Sequence, residues 1–348
     1  MQRRSLLGTA IAAAALPLGA RRARAAEELT VVSWGGAFQD AQSKALFQPA
    51  AKALGITVKE ETYSGLAELR LRAKSGAVTW DVVSSGSGTS ARAGVEGLLE
   101  KLDYHVIDVK DFIPGTYADY YIGGDAFATV AAWNTKTYGQ AGPQSWADFW
   151  DAKKFPGTRA YRNTVTLEPA LMADGVPPDQ VYAVLSAPGG IDRAIRKMQE
   201  LKPHVAVWWS SGAQSAQLMK DGAVDMVAGW NGRFDDARKS GAQVAYTFNQ
   251  ALLDYDCFVV PKGAPHRDLA MRFVAEISKP EYQAALTRYI TYGPTNRRAY
   301  DIGAIPADYA ATLPSAPANT AKELLIDDGW YMKYTQQAAQ AYQDMMTQ

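Results

Sequence analysis

Apolar and polar positions follow one another along this chain in two rhythms, of period two and of period 3.6. Leu29 to Trp34 (LTVVSW) is a compact β-type run. Gly35 and Gly36 separate it from a helical stretch, Phe38 to Leu54, which Pro49 is expected to break or kink. Ile56 to Tyr63 alternates like a strand, and Leu66, Leu69 and Ala73 then recur at helical spacing up to Gly76. Trp80 to Ser85 is a further apolar strand, ending in Gly86-Ser87-Gly88-Thr89-Ser90, a turn expected to precede a helix near Ala91 to Leu99. Strand, helix, strand, helix, strand predicts a parallel α/β sheet with right-handed crossovers.

A second set begins after Trp133. Ser145 to Asp151 (SWADFWD) predicts a short helix with Ser145 as its N-cap and Asp148 in the first turn. His204 to Trp209 and Val224 to Trp230 predict strands, followed by helices over Gln214 to Lys220 and Phe234 to Ser240. Leu252 to Pro261 predicts a further strand, and Leu269 to Ser278 an amphipathic helix stopped by Pro280. Two α/β units in one chain predict two lobes with a crevice between them.

The first 26 residues stand apart. Met1 to Arg4 are basic, and Ser5 to Ala20 are apolar but, at 16 residues, short of the ~20 a spanning helix needs. Ala23-Arg24-Ala25 offers a small-x-small cleavage pattern, so residues 1–26 are expected to be a removable export signal. Arg3-Arg4, with further Arg beyond the apolar stretch, matches the twin-arginine route. The mature protein is then expected in the periplasm. Formal net charge is zero, but residues 1–25 carry five Arg and no acid, so the rest holds five more acids than bases. A mildly acidic body with no basic run speaks against nucleic acid as a partner.

Enzyme signatures are missing. The chain has no G-x-S-x-G elbow, H-E-x-x-H helix, phosphate-binding GxxxxGK[ST] loop or CxxC pair. With one Cys and three His, no metal, cofactor or nucleophile site is expected. What stands out is a set of aromatics and acids at strand ends, where open α/β sheets bind ligands. Trp34, Trp209 and Trp230 each close a strand. Asp254 and Asp256 fall two apart in a strand, so both point to one face. Aromatic faces with carboxylates suit a cationic amine. The Gly/Ser run containing Ser85 and Gly86, ahead of a helix, is instead suited to attract a carboxylate.

At these residues the chain resembles the periplasmic substrate-binding proteins of polyamine ABC importers, the spermidine/putrescine-binding family. The resemblance runs through Trp34, Ser145 to Trp150, Phe155-Pro156-Gly157, Gly229-Trp230-Asn231-Gly232, Asp256, Val259-Val260-Pro261 and Tyr292-Gly293-Pro294-Thr295-Asn296. It implies a two-lobed α/β periplasmic binding protein fold of type II, non-catalytic, closing on ligand between the lobes. Lobe 1 would be residues 27–132 plus 252–300, and lobe 2 residues 133–251 plus 301–348. The resemblance implies a stacking role for Trp34, a second aromatic wall at Trp230, an amine-binding role for Asp256 and a cleft position for Tyr292. Glu168 is nearest to the family's second-lobe acids, and Asp254 stands where the family often has Trp.

The expected function is capture of a small amine, of putrescine or polyamine type, and delivery as a monomer to inner-membrane permease subunits. The alternative is the same scaffold binding an ω-amino acid or other amine/carboxylate solute. An exported hydrolase is a remote third reading, and an iron-binding relative would need clustered Tyr, His and acids.

Overall fold

The computed structural model describes residues 27–347; the expected export signal lies outside them. The strands are β1 (Glu28–Ser33), β2 (Thr57–Thr62), β3 (Val82–Gly86), β4 (Tyr117–Ala118), β5 (Tyr121–Asn134), β6 (Arg159–Arg162), β7 (Val205–Trp209), β8 (Met226–Trp230), β9 (Val244–Val259) and β10 (Leu324–Leu325). They form one sheet in the order β2-β1-β3-β9-β5-β8-β6-β7, with β10 on β9 and β4 on β5. β1 is parallel to β2 and β3 at one end, and β6 to β7 and β8 at the other. Between them β9 and β5 run antiparallel to each other and to their outer neighbours. The sheet is therefore mixed, where the alternation of strands and helices predicted a parallel one. Two long antiparallel strands join two parallel α/β halves.

The central strands carry the join because both are long and apolar enough to be covered on two faces. β9 has 16 residues and at about 3.3 Å each reaches roughly 50 Å, long enough to serve both halves. In one half, Leu29, Val31 and Val82 pack with Phe258, Leu269 and Phe273. In the other, Trp133, Trp146, Phe149 and Tyr161 pack with Trp330 and Tyr342 of the helix Asp328–Thr347, which the sequence reading did not include. Each core unites early and late parts of the chain. Beyond Tyr300 the chain packs first on the earlier side, Ile305 and Leu313 meeting Ala284 and Ala299.

Three local expectations are corrected. The helical stretch after Gly35 is not broken at Pro49: a π-turn over Ser43–Phe47 widens it, and Pro49 sits in the first turn of the following Gln48–Leu54, where its missing N–H is harmless. Gly86 to Ser90 is not a loop, because the helix Ser87–Val95 starts directly at the end of β3. Pro280 does not merely stop a helix but opens the next, Pro280–Leu286. Ser145 caps as expected, its side chain accepting from the Asp148 N–H. Among the described residues no helix is long and apolar enough to cross a membrane.

Candidate functional site

β1 ends at Ser33 and delivers Trp34 to the side of β9, where it remains 40% exposed. Gly35 and Gly36 both hold positive φ, 75° and 60°, so the chain turns sharply after Trp34 with backbone only glycine adopts freely. The Trp34 ring lies 4.8 Å from Tyr63, and its Nε1–H donates to Asp256 Oδ1 at 3.3 Å.

Asp256 stands on β9 opposite Gly86 of β3 and Asp125 of β5. A side chain at Gly86 would come within 3.8 Å of Asp256 Oδ1. Asp254 shares its face and accepts from the Ser87 hydroxyl at 2.9 Å and the Tyr255 N–H at 2.8 Å. Both acids are half-buried. Burial, reinforced by repulsion from Asp254, pushes Asp256 up to about 7, against which the Trp34 N–H acts weakly. Burial also raises Asp254, opposed by its hydrogen bonds and by the charge of Arg162. Ser87 lies 2.9 Å from both Asp254 and Asp328 but has one proton to donate. One of those carboxyls must supply its own hydrogen, and burial puts Asp328 at about 7.

The aromatic wall is built on the neighbouring strands. Phe127 of β5 lies 6.1 Å from Trp230 and 5.4 Å from Tyr292, which in turn faces Phe38 at 6.0 Å. Asn231 fixes this wall from behind, accepting from the Ala128 N–H and donating to the Thr291 carbonyl. At the end of β6, Arg162 places its guanidinium carbon 5.3 Å from the Trp230 ring and 5.9 Å from Trp209. Among the described residues no carboxylate forms an ion pair with Arg162. Arg233, exposed on the helix Asn231–Lys239, acts electrostatically on Tyr292.

The structure brings together Trp34, Gly86, Asp254, Asp256, Trp230 and Tyr292 of the residues singled out in the sequence. It separates three others. Trp209 is only 1% exposed, donates to the Ala228 carbonyl and stands edge-on behind Trp230 at 5.6 Å. Ser85 pairs with Cys257, which strand alternation puts on the face away from Gly86 and Asp256. Glu168 is sealed in the other core, accepting from the hydroxyls of Tyr182 and Tyr331. Sequence reasoning missed Phe127, Asp328, Asp125 and above all Arg162, and read Ser87 only as part of the Gly/Ser run. β6 has only four residues, too short for a periodicity to announce, although Arg before Asn-Thr at a strand end was a visible signal. No group of His, Cys, Asp or Glu among the described residues could hold a metal ion.

A family model for bacterial extracellular solute-binding proteins matches residues 45–321. The chain is 36% identical over 344 residues to a gamma-aminobutyric acid-binding protein of Pseudomonas aeruginosa, covering 98% of this chain and 95% of the relative. It is 25% identical over 257 residues to spermidine/putrescine-binding periplasmic protein 1 of Haemophilus influenzae, covering 70% and 68%. Among solved structures, MotA from A. tumefaciens B6 in complex with glucopine is 46% identical with a TM-score of 0.82, over 91% of this chain and 99% of MotA. The Atu4243 GABA receptor is 32% identical with a TM-score of 0.81, over 92% and 97%.

Proposed function

The chain belongs to the bacterial extracellular solute-binding proteins, and on that premise we propose that it captures a zwitterionic ω-amino acid between its lobes, ammonium end toward Asp256, carboxylate end toward Arg162. As a member of that family it is the periplasmic solute-binding component of an ABC importer, binding a small molecule without transforming it. The diamine expected first from the sequence gives way to the alternative. A diamine needs acids for both ends. The observation that carries the change is Arg162, a cation in no ion pair among the described residues, held against Trp230 with Asp254 within its field. An arginine fork suits a carboxylate and repels a second ammonium. The gamma-aminobutyric acid relative, at higher identity and coverage than the polyamine one, supports the same reading. In it Trp34, Phe127, Trp230 and Tyr292 surround the methylene chain, and the lobes follow the boundaries expected from the sequence, except that the segment after Tyr300, through Leu313, goes with the first lobe.

Calorimetry with γ-aminobutyrate and 1,4-diaminobutane tests this. The amino acid is expected to bind more tightly. Arg162→Gln removes a charge-assisted pair worth about 2–3 kcal/mol, so its affinity for γ-aminobutyrate should fall on the order of thirty- to hundredfold. Its affinity for the diamine should not fall. Tighter binding of the diamine by the parent, or no effect of Arg162→Gln on γ-aminobutyrate, overturns the reading.

A further inference from the structure

Asp125 has no part in the reading above, yet it faces the ammonium end. It stands on β5 in register with Asp256 of β9, and residues directly opposite on paired strands put their side chains on one face. The β5 register shifts between Gly123 and Asp125, and an extra residue at such a place re-aims the side chain beside it. Asp125 is 1% exposed, and neither carboxyl oxygen has a hydrogen-bond partner among the described residues. An ionised carboxylate left so bare is strongly disfavoured.

The charged surroundings offer no remedy. β9 presents Asp254 and Asp256, and the helix Asp328–Thr347 presents Asp328 through Ser87. Tyr292 and Tyr63 face Asp256 from the turn after Thr291 and from the end of β2. Arg162 acts on Asp254, while Arg233 and Asp236 act on Tyr292. Burial first, and the neighbouring Asp256 second, hold Asp125 well above the usual carboxylate range. Two adjacent carboxyl groups with no cation between them do not both ionise.

We propose that Asp125 is the second carboxyl group of the ammonium subsite: it carries a proton in the ligand-free protein, and a ligand ammonium seated on Asp256 drives that proton out to solvent. The proposal rests on the amine end of the reading above. The incoming ammonium keeps its three hydrogens and supplies the positive charge the pair lacks. The carboxyl O–H bond breaks, its electron pair stays on Asp125, and the proton passes to the buffer. Uptake is then linked to proton release, and the same pair discriminates against neutral amides and alcohols, which bring no charge to replace the proton.

Infrared spectroscopy of the ligand-free protein at pH 7 tests the first half. A protonated carboxyl band is expected, reduced in Asp125→Asn. Calorimetry with γ-aminobutyrate in buffers of different ionisation heat tests the second. The parent is expected to release protons on binding, with affinity weakening about tenfold per pH unit on the acid side of the transition if one proton is lost. Asp125→Asn should bind while releasing fewer. Absence of the band, a band unchanged in Asp125→Asn, or binding by the parent without proton release overturns the proposal. If Asp125→Asn fails to fold, Asp125→Ser serves in its place, and absence of the band or of proton release in the parent overturns the proposal by itself. If γ-aminobutyrate does not bind, the ω-amino-acid reading falls, and proton release on 1,4-diaminobutane, which brings the same ammonium, decides this proposal separately.

Discussion

Asp256 is held away from the charged state it is meant to show a ligand. In the ligand-free protein its proton is retained up to about 7, through burial and the adjacent Asp254, whereas in the unfolded chain an aspartate releases its proton near 4. The folded state thus binds more protons than the unfolded one between those values. That contribution to stability is fully present below about pH 4 and lost as pH rises through about 7. Asp256→Asn removes the dependence. The ligand-free variant should melt higher than the parent at pH 8, by on the order of 2–4 °C, with the difference shrinking toward pH 5. Thermal unfolding across that range checks it, and a variant less stable at pH 8 would make Asp256 a structural partner instead. Trp34, Asp256 and Trp230 were legible as site candidates because each sits at or near a strand end in a pattern the family shares, and Tyr292 was legible from the family pattern alone. Arg162 and Asp125 were not. Their meaning lies in what stands opposite them, Trp230 and Asp254 for Arg162 and Asp256 for Asp125, all on strands distant in the chain.

The element that aims these groups is the irregular middle of the sheet. Gly124 sits at the β5 register shift, and a Cβ there would lie 2.5 Å from Phe258 Cε2 in the core. Gly124→Ala must displace that ring, at about 1–3 kcal/mol for overpacking. Because the shift also aims Asp125, the substitution should lower both the melting temperature and the affinity. An unaltered melting curve would show that the core yields there at no expense. Strands β1 to β3, β7, β8 and the part of β9 from Leu252 on, with the capped helix Trp146–Trp150, were readable from period and punctuation, whereas the first half of β9, from Val244, was not. β5 was not, because its Gly- and Ala-rich run shows no alternation. The helix beginning at Ser87 was hidden by Gly and Ser, residues that read as turn and here form its first turn.

At the scale of the whole molecule, the crossing strands lose their regular pairing where the halves meet. Thr129 pairs with Leu252 but Ala131 with Thr247, so β9 carries extra residues. Among them Gln250 adopts a φ of 59°, the one positive value at a non-glycine among the described residues. Trp146 grips it, donating from its backbone N–H to Gln250 Oε1 and from its indole to the Gln250 carbonyl. A strained residue between two packed cores is suited to take up a hinge rotation. Small-angle scattering should therefore show a smaller radius of gyration at saturating ligand than without it, and identical curves would argue for a rigid groove.

The position of β9 between β3 and β5 also has a consequence in time. Synthesis proceeds at roughly 5–20 residues per second, so after β5 emerges the strand that must lie between it and β3 arrives on the order of ten seconds later. Until then β3 and β5 each present an open hydrogen-bonding edge, the kind that recruits other chains. Val82 waits for Phe258, and Trp133 for Trp330. Nascent chains that stop short of Val244 lack one of the two strands that join the halves, and neither half has a closed core to fold around. Both cores thus wait on late parts of the chain, and the newborn chain, more than the finished one, is where open strand edges invite pairing with other chains.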